Sequence, residues 1–142
     1  MIIAAVLGSK GTVVETVSAD ARLMDAVETL GSKRIGALPV VSHEGIVGII
    51  SERDVIYRLR ESGPEVLDWP VSRVMTAPAI TIEPSMEILA ALALMTQKRI
   101  RHLPVVEGNG LRGIVSIGDL VKHRIEHIEA EAEAMRSYIQ SA

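Results

Sequence analysis

The nine residues KRIGALPVV at 33–41 return as KRIRHLPVV at 98–106, 65 positions further along a chain of 142. The same offset, without a gap, carries Thr16 onto Thr81 and Ala26 onto Ala91. It also carries Gly45, Gly48, Ile49, Ser51 and Asp54 onto Gly110, Gly113, Ile114, Ser116 and Asp119. An ungapped self-match of this length means two copies of one supersecondary unit. A unit of about 50 residues buries too little apolar surface to stand alone, so the copies are expected to pack together.

Each copy supports the same order of elements. VETVSA and AITIEP read as short extended segments. Leu23, Val27 and Leu30 in one copy, and Ile88, Leu92 and Met95 in the other, recur at helical spacing and define an apolar helix face. ALPVVS and HLPVVE are β-rich runs whose proline lacks an amide donor and favours an edge or a strand start. A turn at HEG or GNG leads into GIVGIIS or LRGIVSI, and a second helix opens at Ser51 or Ser116. The fold class is therefore mixed α/β (α+β), two βαββα repeats followed by an extended C-terminal helix.

The boundaries expected are an N-terminal segment with the first repeat over 1–64, a connector over 65–78, the second repeat over 79–122 and the helical extension over 123–142. PVSRVM in the connector has room for a helical turn opened by Pro70. In the extension, Val121, Ile125, Ile128, Ala132, Met135 and Ile139 alternate spacings of four and three, which is a heptad seam. Such a seam asks for a partner surface, and self-association is preferred over folding back on the chain's own body.

A net charge of -3 and a pI of about 5.8 supply no positive field for nucleic acid or an anionic membrane surface, so neither is expected as a partner. The chain has no cysteine, which excludes disulfides, thiolate zinc sites and cysteine nucleophiles and is compatible with a cytoplasmic location. The opening run MIIAAVL has no basic residue ahead of it and falls far short of the roughly 20 residues needed to span a bilayer. It reads as a short packing segment. Aromatic residues are 2% and phenylalanine is absent, so a flat ligand would be gripped by aliphatic side chains and backbone.

Two stretches have chemical potential. SERD at 51–54 and SIGD at 116–119 each place Ser-x-x-Asp where a strand ends and a helix opens. That spacing makes a capping box, although Glu or Gln is the usual acidic partner. It equally presents a hydroxyl and a carboxylate at a helix N-terminus, where they suit phosphate or ribose oxygens; spacing alone does not separate the two readings. His123, Glu126 and His127 fit H-x-x-E-H, a zinc-hydrolase pattern. The seam residues Val121, Ile125 and Ile128 place those histidines on the outer side of the helix, with no wall or oriented second layer for a catalytic zinc. No catalytic triad can be assembled, LGSKGT at 7–12 is too short for a phosphate-binding Walker loop, and neither a catalytic residue nor a metal ligand is assigned.

The doubled βαββα unit, with ALPVV or RHLPVV followed by Gly-apolar-apolar-Ser-x-x-Asp, resembles the CBS domain pair, also called a Bateman module, over about residues 12–122. The resemblance implies repeats packed about a pseudo-twofold axis with two clefts that take AMP, ADP, ATP, NAD or S-adenosylmethionine. It implies that Asp54 and Asp119 hold ribose hydroxyls, with Ser51 and Ser116 beside the ribose or phosphate. Thr12, Val13, Ala77 and Pro78 would lie against adenine, while Arg101 and His102, with Pro104 in the same stretch, would reach phosphate. Arg101 and His102 are expected to serve the Ser116–Asp119 cleft, leaving the Ser51–Asp54 cleft, with Gly36 and Ala37, weaker, emptier or dependent on Arg53. Arg99, like its counterpart Arg34, reads as a solvating charge.

The implied function is a non-enzymatic adenine-nucleotide sensor, AMP first and then NAD or ATP, acting through a homodimer or a regulated protein. It requires no cofactor. A structural interaction module working through the C-terminal helix is the alternative, and a zinc hydrolase the remote one.

Overall fold

The structure is a computed structural model that describes residues 1–11 and 13–141. The first repeat contains β1 (Val17–Ser18), α2 (Leu23–Lys33), β2 (Ala37–Ser42), β3 (Gly45–Ser51) and α3 (Glu52–Ser62), preceded by α1 (Ile3–Lys10). A 3-10 turn (Pro64–Asp68) and α4 (Val71–Val74) lead to the second repeat, formed by α5 (Ile88–Lys98), β4 (His102–Glu107), β5 (Gly110–Ser116) and α6 (Ile117–Ser141).

The hairpins repeat residue for residue. β2 and β3 pair antiparallel from Ala37↔Ser51 to Ser42↔Gly45, and β4 and β5 from His102↔Ser116 to Glu107↔Gly110. Both carry an irregularity at the same place, Val40/Val41 and Val105/Val106. β1 joins β2 in parallel, whereas AITIEP contributes a single parallel bridge, Ile82 to Val105. Ile49 gives both its N–H and its carbonyl to Thr76, so Pro39 opposite it faces its nitrogen away from β3, where a missing amide leaves no ladder bond unmade. α2 and α5 both end on an arginine in the left-handed region, Arg34 at φ 53° and Arg99 at φ 56°.

The flanking segments are exchanged between the repeats. Val66, Val71 and Val74 of the connector are buried in the core of the first repeat, with Leu23, Leu38, Val40 and Ile50. Ile3, Val6 and Leu7 of α1 are buried in the core of the second, with Ile88, Met95, Leu103, Val115 and Leu120. Ile3 and Ala4 donate to the carbonyls of Met86 and Pro84 at 2.8 and 2.9 Å, fixing α1 there. The 65-residue offset thus extends to the N-terminus, with Val6 the counterpart of Val71. Ile3, Val6 and Leu7 thus pack with the second repeat although they precede the first, and the connector lends Val66, Val71 and Val74 to the first core.

α6 also departs from the expectation. Leu120 is buried and His123, Arg124 and His127 are partly buried, so this is the side that faces the body. Val121, Ile125, Ile128, Met135 and Ile139 are 42–66% exposed. The seam predicts its own burial with the histidines outward; in the structure the helix is rotated so that the neighbouring face, with Leu120, His123 and His127, meets α1 and α5. His127 Nε2 lies 3.1 Å from Glu131, and among the described residues no three His, Cys, Asp or Glu side chains form a metal-holding group. Also among them, no helix is long and apolar enough to cross a membrane.

Ile3 is fully buried although it stands third in the chain. Ile3→Ala should lower the unfolding free energy by about 2–5 kcal/mol in urea denaturation, where a frayed N-terminal arm would show no change.

Candidate functional site

β3 ends where α3 begins, and the junction is closed by the pair read from the sequence. Ser51 Oγ accepts from the Asp54 amide at 3.3 Å, and Asp54 Oδ2 accepts from the Ser51 amide at 2.9 Å and from its hydroxyl at 3.0 Å. The capping box is therefore formed. It uses one carboxylate oxygen. Oδ1 is turned the other way and accepts from Thr76 Oγ1 at 3.1 Å, so it retains lone-pair capacity. Capping and ligand contact are compatible at this aspartate.

Thr76 is held by paired backbone hydrogen bonds with Ile49, both 2.9 Å. The segment approaches so closely that a Cβ on Gly48 would stand 2.7 Å from Met75 Sδ and 2.8 Å from the Thr76 carbonyl. Only glycine permits that contact.

Beside this junction lies a cavity of about 500 Å³. Gly36, Ser51, Glu52, Arg53, Asp54 and Tyr57 line it from the first repeat; Thr76, Pro78 and Ile80 come from the segment between, and Arg99, Ile100, Arg101 and His102 from the second. Arg101 and His102 thus share a cavity with Ser51 and Asp54, a different pairing from the one expected. A Cβ on Gly36 would lie 3.0 Å from both Cε1 and Nε2 of His102. The two strand starts meet there, and the small Gly36 makes room for the His102 imidazole.

Three guanidinium groups and an imidazole outnumber the carboxylates of Glu52 and Asp54, and Ile49, Ile80 and Ile100 supply apolar wall. The arrangement suits an anion attached to a flat body that carries hydroxyl groups. Burial holds the His102 imidazole below its ordinary 6.5; the Glu52 and Asp119 carboxylates oppose this, and Lys10 and Arg101 reinforce it.

The counterpart junction is built alike but furnished differently. Asp119 Oδ2 accepts from the Ser116 amide at 2.9 Å, and Ser116 Oγ accepts from the Asp119 amide at 3.1 Å. Lys10 stands where the other copy has Met75; its Nζ donates to Asp119 Oδ2 at 2.6 Å and to the Ile114 carbonyl at 2.8 Å. Leu7 covers Gly113 so tightly that a Cβ there would be 2.6 Å from its Cδ2. Burial alone would raise the Asp119 carboxyl, but the hydrogen bonds from Lys10 and Ser116 and the Lys10 charge outweigh it and hold the group below the usual carboxylate range.

The remaining sequence candidates lie apart from the cavity wall. Ala77 is exposed and Val13 is 90% exposed. Pro104 is buried in β4, where its carbonyl accepts from Ile82 at 3.0 Å, and Thr12 lies outside the described residues. Sequence reasoning missed Tyr57, Thr76, Ile80 and Ile100, and took Arg99 for a solvated charge. The repeated KRI marks the position of Arg99 but not which copy faces a cavity.

Two interlocked βαββα repeats with a cavity walled by both define a paired-repeat architecture. The chain belongs to the CBS domain family, whose pattern matches residues 11–61 and again 71–126. It is 36% identical over 126 residues to the mitochondrial CBS domain-containing protein CBSX3 of Arabidopsis thaliana, and 34% identical over 119 residues to CBS domain-containing protein YhcV of Bacillus subtilis. These matches cover 85% and 84% of this chain; the chain spans 61% of the Arabidopsis protein and 84% of the Bacillus one. A CBS-domain-containing protein from Agrobacterium tumefaciens superposes with a TM-score of 0.83 at 35% identity, covering 87% of this chain and 99% of that one.

Two titrations test the electrostatics. The imidazole of His102 should titrate by NMR below 6.5, and lower still in Glu52→Gln, which removes an opposing carboxylate. With its folded midpoint depressed, the unfolded chain takes up this proton first, so His102 should cost stability as pH falls below about 6.5. Asp119 is depressed likewise: its contribution is present above about 3.9 and lost as pH falls through its folded midpoint, which Lys10→Met should move upward.

Proposed function

We propose that this chain is a non-catalytic sensor of adenine nucleotides, AMP first and then NAD, ATP or S-adenosylmethionine, and that the nucleotide sits in the cavity beside Ser51 and Asp54. One observation carries the reading: a carboxylate oxygen turned toward hydroxyl donors and three guanidinium groups converge on one cavity from opposite repeats. Asp54 Oδ1 accepts from the ribose diol as it accepts from Thr76 Oγ1. Ile49, Ile80, Ile100 and Pro78 flank the base. Arg101, with Arg53 and Arg99, holds the phosphate, and His102 packs over Gly36 beside them.

A structural neighbour supports the ligand class. CBSX2, solved in complex with AMP, is 25% identical with a TM-score of 0.68, and the match covers 80% of this chain and 88% of that one.

Because the wall is drawn from both repeats, a bound nucleotide links them. It shifts their relative arrangement, and through it a homodimer or a regulated protein, only by the difference in its affinity for the two arrangements. The Ser116–Asp119 junction takes no part, since its carboxylate is already neutralised by Lys10. One nucleotide per chain follows.

Isothermal titration tests this directly. AMP should bind with a stoichiometry of one per chain, and Asp54→Asn should weaken AMP and adenosine together. Removal of a charge-assisted contact costs about 1.5–3 kcal/mol, so Arg101→Ala should weaken AMP roughly 10- to 100-fold and leave adenosine within about threefold. Asp119→Asn should leave AMP binding unchanged. Absence of heat and of thermal shift with millimolar AMP, ATP, NAD and S-adenosylmethionine would sink the sensor reading.

A further inference from the structure

Among the described residues the apolar stripe of α6 is left largely exposed. Val121, Ile125, Ile128, Met135 and Ile139 are 42–66% exposed, on the helix face next to the one that carries Leu120, His123 and His127. With Ala132 they fill consecutive heptad core positions over about 27 Å of helix. Their spacing satisfies nothing in the body of the protein, since the body holds α6 by the neighbouring face.

We infer that this stripe is the seam of a parallel, in-register two-stranded coiled coil between two copies of the chain. The inference rests on the homodimer named in the proposed function and adds its surface and direction. The flanking charges choose the partner and its direction. Placing Ile125, Ala132 and Ile139 at a, and Val121, Ile128 and Met135 at d, puts Arg124 and Glu131 at g and Glu129 and Arg136 at e. In a parallel pair each g residue meets the e residue five positions on in the other helix. Arg124 then faces Glu129, and Glu131 faces Arg136, each twice by symmetry.

An antiparallel pair of full overlap sets Glu129 against Glu129, Glu131 against Glu131 and Lys122 against Arg136, all like charges, and leaves Arg124 opposite Tyr138. Sliding it by one heptad restores opposite charges but takes two core residues off the seam, Met135 and Ile139 in one direction or Val121 and Ile125 in the other. Glu131 and Arg136 already make exposed contacts within the chain, to His127 at 3.1 Å and Glu133 at 3.0 Å. A carboxylate and a guanidinium each have spare sites for a second partner. The helix is anchored by its first turns in the body, so the short seam does not have to nucleate its own helix.

The chain lacks cysteine, which makes the direction directly readable. In a parallel in-register pair, Met135→Cys should oxidise to a disulfide-linked dimer that dithiothreitol reverses; either antiparallel arrangement puts residue 135 opposite a different position and gives none. The full chain without ligand should sediment as a dimer, and the triple variant Ile125→Ser, Ile128→Ser, Met135→Ser as a monomer with its thermal unfolding retained. Glu131→Arg should weaken the dimer roughly tenfold at low salt, and adding Arg136→Glu should restore it. A dimer that survives the triple variant, or that fails to cross-link at position 135, overturns the inference while leaving a homodimer in place. A monomer at all concentrations overturns both.

Discussion

Each repeat is completed by the segment that precedes the other, and this exchange is the constraint on which the rest of the structure depends. Val66, Val71 and Val74 close the first core, and Ile3, Val6 and Leu7 close the second. Neither half has its full apolar complement alone, which is the expected fate of units of this size. The exchange requires the incoming segment to lie almost on the backbone of the receiving hairpin, and Gly48 and Gly113 are the paired vacancies that allow it.

From the same exchange comes the inequality of the two junctions. The segment crossing the first hairpin brings Thr76, whose hydroxyl meets Asp54; the one crossing the second brings Lys10, whose ammonium meets Asp119. A hydroxyl at 3.1 Å is a neutral partner, whereas an ammonium at 2.6 Å is a charged one that competes for the carboxylate. Two sites with the same Ser-x-x-Asp frame thus differ in what they have left to offer. His102 over Gly36 adds a second break in symmetry, set by space rather than charge.

The repeat, the βαββα order, the hairpins and the Ser-x-x-Asp junctions were legible because each is local and written twice. The partnership of α1 with the second repeat was not, because seven apolar residues at a chain start do not say which surface they cover. The offset itself held the clue: Val6 and Val71 are 65 positions apart, yet the surrounding residues differ enough to hide the match. The pairing of Arg101 and His102 with Ser51 and Asp54 was hidden for a related reason. Sequence proximity groups them with Ser116 and Asp119, while the pseudo-twofold packing carries the side chains across to the other repeat. The facing of α6 was misjudged because an apolar stripe announces burial without naming the burying surface, and a single residue, Leu120, decides which side meets the body.

The placing of α1 has a mechanical side. Both α1 and α6 issue from the second repeat, so the first repeat behaves topologically as an insertion between two parts of the second. Tension applied between residue 3 and residue 141 would load the second core and pass around the first. The repeat that supplies Ser51 and Asp54 therefore lies outside the direct line of load between the two ends of the described chain.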